Sequence, residues 1–203
     1  DFRKLLESTA HFKGLALPIE QALGVNCTAA KMDGPSSLHR GIVRDELSGS
    51  WLLAVGTVVA LEGDNHPLGL LNNLLKDYIR VGVKALDNYD GHFGLLLYNS
   101  LEKSLSIISD AMGLYAIYYA RHGNRFYVST SALALARQVG SKADTLTIEC
   151  FLRTGRPYGE NTLWQDVKRV RPSTLIKINH DKFLENEYWT PRVDDTISHL
   201  SMD

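Results

Sequence analysis

The sequence predicts an α+β fold built on antiparallel sheets. Residues 92–130 hold four β-like runs joined by loops so short that they connect only antiparallel neighbours. A strongly amphipathic helix precedes this meander, and two further helices follow it. Strands and helices thus come in blocks, without the βαβ alternation of a parallel sheet.

The elements follow in order. A short polar, helix-like start over residues 1–9 leads into a strand at 12–17, ended by Pro18. Residues 27–45 alternate weakly around the turn material Asp33-Gly34-Pro35-Ser36, which predicts strands and loop. Residues 51–60, WLLAVGTVVA, form the longest β-like run and are apolar on both faces, as in a covered central strand. Glu62-Gly63-Asp64-Asn65 is a turn, and Pro67 suits the first helical position. Leu71, Leu74, Leu75, Tyr78 and Ile79 recur at i, i+3, i+4, i+7 and i+8, an apolar stripe facing a core. Gly82 caps that helix, and a second short turn runs to Leu86.

The meander has strands at 92–98 and 104–109, joined by Asn99-Ser100-Leu101-Glu102-Lys103. Strands at 115–120 and 125–130 are joined by His122-Gly123-Asn124. Helices are expected over 131–137 and 147–153, the second with Thr145 or Thr147 as N-cap. Pro157-Tyr158-Gly159 breaks the chain before one more strand at 174–179. Residues 191–203 are polar and non-periodic and read as a linker, so the domain is expected to span 1–190.

Composition narrows the function. A chain of 203 residues buries enough surface to fold without staples. Its 22 basic and 23 acidic side chains nearly cancel, which argues against a nucleic-acid or membrane-surface binder. The one basic cluster, Lys168-Arg169-x-Arg171, reads as a solvated strand edge. Cys27 and Cys150 match no metal spacing, and the seven histidines form no metal motif, so no metal site is expected. Asn26-Cys27-Thr28 satisfies the glycosylation sequon, but no signal peptide precedes it. No apolar run approaches the roughly 18 residues of a membrane span. A reducing cytoplasm is the expected compartment.

Spaced motifs then point to a family. Asp90-Gly91-His92-Phe93-Gly94-Leu95-Leu96-Leu97-Tyr98 is followed by Ile108-Ser109-Asp110-x-x-Gly113-x-x-Ala116-Ile117-Tyr118-Tyr119. Further on stand Phe126-Tyr127-Val128-Ser129-Thr130, then Asn161-Thr162-Leu163-Trp164-Gln165-Asp166-Val167-Lys168-Arg169-Val170-x-Pro172, and a closing Tyr188-Trp189. This order resembles the N-terminal domain of the asparagine synthetase family, well over residues 86–190 and loosely over 10–85. The resemblance implies a class II glutamine amidotransferase domain of the N-terminal-nucleophile type: an αββα sandwich of two antiparallel sheets between helix layers. It also implies a following synthetase domain of the same polypeptide as partner, with ATP and Mg bound there and no cofactor in this chain.

The resemblance also says what the chemistry needs. Glutaminase activity in this family uses a cysteine thiol whose own α-amine is the base, and that amine titrates near pH 8. The family pattern is Cys-x-x-x-Gly along the first strand. With Gly14 as that glycine, the nucleophile position falls on Ala10, which has nothing to donate, and the residues before it block the amine. Thr9 and Ser8 are out of register. Cys27 lies beyond the first strand and reads as a small packed residue, and Cys150 as a packed thiol in a helix.

The family's oxyanion hole is an Asn-Gly after an apolar strand. Here Gly56 survives, but Val55 stands where the asparagine would donate, making this a vestigial oxyanion region; one such donor is worth roughly 3–4 kcal/mol. Glutamine binding in the family uses an Arg before that strand and an aspartate just before the helix. Arg40 and Arg44 lie in the right region, the aspartate position falls near Leu70, and Asp64 fits only after a shift. Ser48-Gly49-Ser50 reads as a turn and not as the family's pyrophosphate loop.

These substitutions predict a glutaminase shell without its active site, like the domains of β-lactam synthetases and lasso-peptide cyclases, whose substrates supply their own amine. Asp110 and Gly113 then form a structural corner, not a catalytic pair. Two alternatives stand beside this reading. One is a working glutaminase whose terminus is processed to Thr9 or Cys27. The other is a non-enzymatic binding module exposing Tyr115, Tyr118, Tyr119 and Tyr127. A homodimer is left open.

Overall fold

The computed structural model describes residues 19–63, 66–179 and 182–191. The predicted elements at 1–9 and 12–17, the positions Ala10, Gly14 and Asp64, and the linker after residue 191 lie outside the described residues.

The fold begins with a hairpin, β1 (Ile19–Gly24) against β2 (Cys27–Met32). Its two-residue loop works because Asn26 takes a left-handed φ of 62°, which asparagine tolerates better than most residues. Next come β3 (Val43–Asp45) and β4 (Ser50–Ala60), then helix α1 (Pro67–Val81). Gly82 closes α1, its N–H donating to Tyr78 O, and a 3-10 segment (Gly82–Asn88) extends the predicted short turn. After these follow β5 (Tyr89–Asn99), β6 (Ser104–Ser109), β7 (Tyr118–His122) and β8 (Arg125–Ser129). Helices α2 (Ala132–Val139) and α3 (Thr145–Thr154) precede β9 (Val167–Arg169), β10 (Thr174–Asn179) and β11 (Lys182–Glu187).

Six strands form one antiparallel sheet in the order β11-β10-β6-β5-β4-β3, and three form a second, β8-β7-β9. The period of two along each strand sends alternate side chains to opposite faces. Leu52, Ala54 and Val58 of β4 and Phe93, Leu95 and Leu97 of β5 meet the stripe Leu70, Leu71, Leu74, Leu75 and Tyr78 of α1. On the other face, Ile107, Ile176 and Leu96 meet Ile117, just before β7, and Tyr119 and Val128 of the second sheet. The second sheet's far side, Ala120 and Val167, packs on Ala134, Leu135 and Ala136 of α2. The layers are therefore helix, sheet, sheet, helix, an α+β sandwich of antiparallel sheets.

The β1–β2 hairpin lies on the same face of the large sheet as the second sheet does. Ala22 and Ala29, opposite each other in the hairpin, are small enough to sit on Trp51, Leu53 and Tyr98. Trp51 Nε1 donates to Leu23 O at 2.9 Å, and Tyr98 Oη accepts from Val25 N–H at 2.9 Å. The rings of Trp51 and Tyr98 stack with centroids 5.7 Å apart.

Several boundaries differ from expectation. The strand predicted at 115–120 begins only at Tyr118, because residues 112–115 turn around Asp110. The N-cap of α3 is Asp144, whose Oδ1 accepts from Thr147 N–H at 2.9 Å, and not Thr145 or Thr147. Strands β1 and β11 were not foreseen, and β9 only as the solvated strand edge expected for the basic cluster. β9 is the edge of the small sheet and carries Lys168 and Arg169; Lys168 Nζ reaches Asn161 Oδ1 at 2.8 Å, and Arg171 pairs with Glu185 at 2.7 Å.

Candidate functional site

The vestigial oxyanion region expected at Val55 and Gly56 lies midway along β4. Val55 faces the second sheet and is opposite Gly94 of β5. Gly94 has no side chain, and its place is taken: a Cβ there would stand 2.5 Å from Ile117 Cδ1 and 3.0 Å from Val55 Cγ2. Val55 also packs on the cluster of Trp51, Leu53 and Tyr98. The surroundings of residue 55 are thus apolar, and its isopropyl group offers no hydrogen bond.

Gly56 is there for a different reason. Its φ is +82°, and a Cβ would fall 2.1 Å from the backbone oxygen of His92 and 2.7 Å from Tyr115 Cδ2. No other residue fits that close an approach. The Tyr115 ring closing over it is half-buried, and burial raises its phenol pKa.

The two arginines named as candidates separate clearly. Arg44 is consumed by structure: its guanidinium pairs with Glu20 Oε1, and it donates to Gln21 O at 2.7 Å and Ile42 O at 3.1 Å. Arg40 lies on the wall of a cleft of about 500 Å³ with Glu20, Asp33, Pro35 and Gly41, and one guanidinium nitrogen donates to Pro35 O at 2.9 Å. His39 ties this loop to β4, its Nε2 accepting from Val58 N–H at 2.9 Å, two residues beyond Gly56. Leu70, where the aspartate position falls, is buried in the core against α1's neighbours, with 1% exposure.

Beneath the cleft lies a polar group the sequence did not flag. Lys31 follows Ala29 on the inward face of β2 and is 5% exposed. Its Nζ stands 2.9 Å from Asp33 Oδ1, bonds His39 O, and donates to Gly41 O at 3.3 Å. Asp33 Oδ2 in turn accepts from Gly41 N–H at 2.6 Å. Glu20 Oε2 accepts from Ile42 N–H at 2.9 Å. The loop that presents Arg40 is therefore pinned from below by a buried ion pair.

Both cysteines are half-buried free thiols. Cys27 is half-buried in β2, directly after the hairpin loop, and burial raises its thiol pKa, which disfavours the thiolate. Cys150 sits on α3, its Sγ 3.9 Å from Thr154 Oγ1. Ser48-Gly49-Ser50 is the β3–β4 turn, with Ser48 N–H and Gly49 N–H both bonded to Asp45. Among the described residues no group of three or more His, Cys, Asp or Glu could hold a metal ion.

Asp110 is fully buried. Its Oδ1 accepts from Met112 N–H at 3.1 Å and Leu114 N–H at 2.9 Å, and its Oδ2 from Tyr115 N–H at 2.9 Å. Its backbone oxygen accepts from Gly113 N–H and Ser173 N–H. Gly113, at φ +61°, lies against Pro172, whose Cγ would be 2.9 Å from an added Cβ. The carboxylate is saturated by its own loop. We expect Asp110→Ala to cost about 3 kcal/mol, since a charge-assisted bond contributes roughly 1.5–3 kcal/mol and part of the freed N–H groups regain water. A melting temperature unchanged from wild type would contradict this.

The four tyrosines weighed as an aromatic binding face are all half-buried. Tyr118 and Tyr127 pack towards α2, and Tyr119 stacks on Phe126 with centroids 5.4 Å apart. They fill the rim of the sandwich.

The layered arrangement is that of class II amidotransferases with the N-terminal-nucleophile fold. The sequence model of the glutamine amidotransferase domain family matches residues 72–189, and the chain belongs to that family. Among solved structures it resembles the glutamine phosphoribosylpyrophosphate amidotransferase of B. subtilis, complexed with ADP and GMP, with a TM-score of 0.50 and 11% identity. That match covers 80% of this chain and 35% of the other. A second, described as the allosteric regulatory enzyme of purine biosynthesis, matches with a TM-score of 0.47 and 12% identity over 74% of this chain and 31% of the other. The chain thus spans about a third of the length of these proteins. No curated protein matches the sequence.

Proposed function

We propose that this chain is the glutaminase-like N-terminal domain of an asparagine-synthetase-family ligase and does not itself hydrolyse glutamine. Residues 1–190 form the domain, and 191–203 lead towards an ATP-dependent synthetase domain that carries ATP and Mg. The observation that carries this reading is Val55. It stands at the position the family resemblance gives to the oxyanion asparagine, in an apolar setting with Ile117 over Gly94. Ala10, at the nucleophile position, supports it, since a methyl group cannot attack an amide. The protein works in the reducing cytoplasm, with Cys27 and Cys150 as free thiols.

In this role the fold is kept for its shape, and the amine comes from the substrate. The test is carboxylate-dependent exchange of pyrophosphate into ATP by the complete polypeptide. Exchange is expected to proceed at the same rate with and without glutamine. Exchange and product formation that require glutamine, with stoichiometric glutamate release, would refute the proposal.

A further inference from the structure

Three turns meet at one end of the large sheet. Ser50 Oγ, at the start of β4, accepts from Ser100 N–H at 3.0 Å, so the β3–β4 turn (46–49) adjoins the β5–β6 turn (100–103). The tip of the β1–β2 hairpin lies beside them. Tyr98 Oη accepts from Val25 N–H at 2.9 Å, and Leu23 O from Trp51 Nε1 at 2.9 Å. Trp51 and Tyr98 are opposite each other at the ends of β4 and β5 that carry these turns.

Each turn carries large apolar side chains outward. Leu47 is 98% exposed, Leu101 73%, Leu23 71% and Val25 54%, and none joins an apolar cluster. Turn chemistry does not call for them, because Asn26, Ser48, Gly49 and Ser100 already supply the usual turn residues. Exposed apolar residues scattered singly need no explanation, but a group on adjoining segments marks an interaction site. The tips are also held rigidly. Asn99 Oδ1 accepts from Leu101 and Glu102 N–H, and Asp45 Oδ2 accepts from Ser48 N–H at 3.1 Å and from its hydroxyl at 2.5 Å. Little freedom is left to lose on docking.

The charges at this end select the occupant. Asp45 is occupied by Ser48, and Glu102 Oε2 holds Lys177 Nζ at 2.6 Å. Glu46 and Lys103 are exposed and take no ion pair among the described residues. These two unpaired charges cancel, which favours neither an acidic nor a basic partner, nor an anionic lipid surface. They are instead self-complementary. A two-fold axis between the turns sets each Glu46 against Lys103 of a second copy and closes the apolar tips on one another. We propose that this end of the sandwich is the contact between two copies of this chain. Three turns make a small footprint, so the association is weak and concentration-dependent, as in transient interfaces.

The test is sedimentation equilibrium of the complete polypeptide. Its weight-average mass is expected to rise with concentration towards twice that of the monomer. Leu47→Asp and Leu101→Asp should each weaken association at least about tenfold, as central contacts of an interface do. Met112→Asp is the control: Met112 is 64% exposed beyond the other end of β6, and its change should leave association as it was. Glu46→Lys and Lys103→Glu should each self-associate poorly through like-charge repulsion, whereas an equimolar mixture of the two should associate like wild type. All these side chains are exposed; if one variant folds poorly, the other tip and the mixed pair still decide. A monomer at every concentration, or a dimer whose strength these changes do not move, overturns the proposal. So does a monomer that co-sediments with phosphatidylcholine vesicles and loses them on Leu47→Asp, which assigns the tips to a lipid surface.

Discussion

Replacing Gly56 with alanine is expected to lower stability by about 4 kcal/mol. An L-residue held at positive φ costs roughly 1–2 kcal/mol, and forcing an extra carbon into a packed site adds roughly 1–3 kcal/mol. The clash here is with a backbone oxygen, His92 O at 2.1 Å, so no side-chain rotation relieves it, and the Tyr115 ring blocks the other direction. Gly69→Ala in α1 is the control of opposite sign. A Cβ there meets nothing within 4 Å, and alanine in a helix is worth up to about 1 kcal/mol over glycine. Denaturant titration of both variants should show one curve moving down and the other up. A Gly56→Ala protein within about 1 kcal/mol of wild type would mean that β4 does not pass β5 as described.

Lys31→Met is the second large effect, again about 4 kcal/mol. Taking one partner from a buried ion pair strands the other charge, typically at about 3–5 kcal/mol. Here it leaves the Asp33 carboxylate and the carbonyls of His39 and Gly41 without their cation. Asp33→Asn alongside it removes the stranded charge while keeping an acceptor for Gly41 N–H, and should recover a good part of the loss. A double variant no more stable than the single would show that the pair does not act as a unit.

What the sequence told and withheld has physical causes. β6 and β10 were read to the residue because their apolar runs end at turns whose chemistry is local, such as Asn99 Oδ1 accepting from Leu101 and Glu102 N–H. The start of β7 was misread because Tyr115-Ala116-Ile117 has β-like composition, yet Asp110 takes the Tyr115 N–H. That competition is invisible in a propensity window. The N-cap of α3 had cap-capable candidates within four residues, and the bridge Ala143–Trp164, set by distant chain, places the cap at Asp144. β11 escaped because an exposed edge strand such as Lys-Phe-Leu-Glu-Asn-Glu carries charge where pattern reading expects alternation.

The site was legible in part. The strand that carries Val55 and Gly56 was read from its apolar run, and both residues lie on β4; their oxyanion role belongs to the proposal above. Arg40 and Arg44 could not be told apart in sequence, because what separates them is Glu20, more than twenty residues away, which claims Arg44 and leaves Arg40 on the cleft. Lys31 was missed for a related reason: a lysine in a weakly alternating strand reads as solvated until its partner Asp33 folds back beneath it.

The central claim is that a glutaminase fold persists here without glutaminase chemistry. Its most direct test is glutamine hydrolysis by the purified protein, with the N-terminus of the same sample fixed by intact mass. The account predicts glutamate and ammonia release indistinguishable from buffer without protein. Steady turnover above that background, from a species beginning at Thr9 or Cys27, would contradict it.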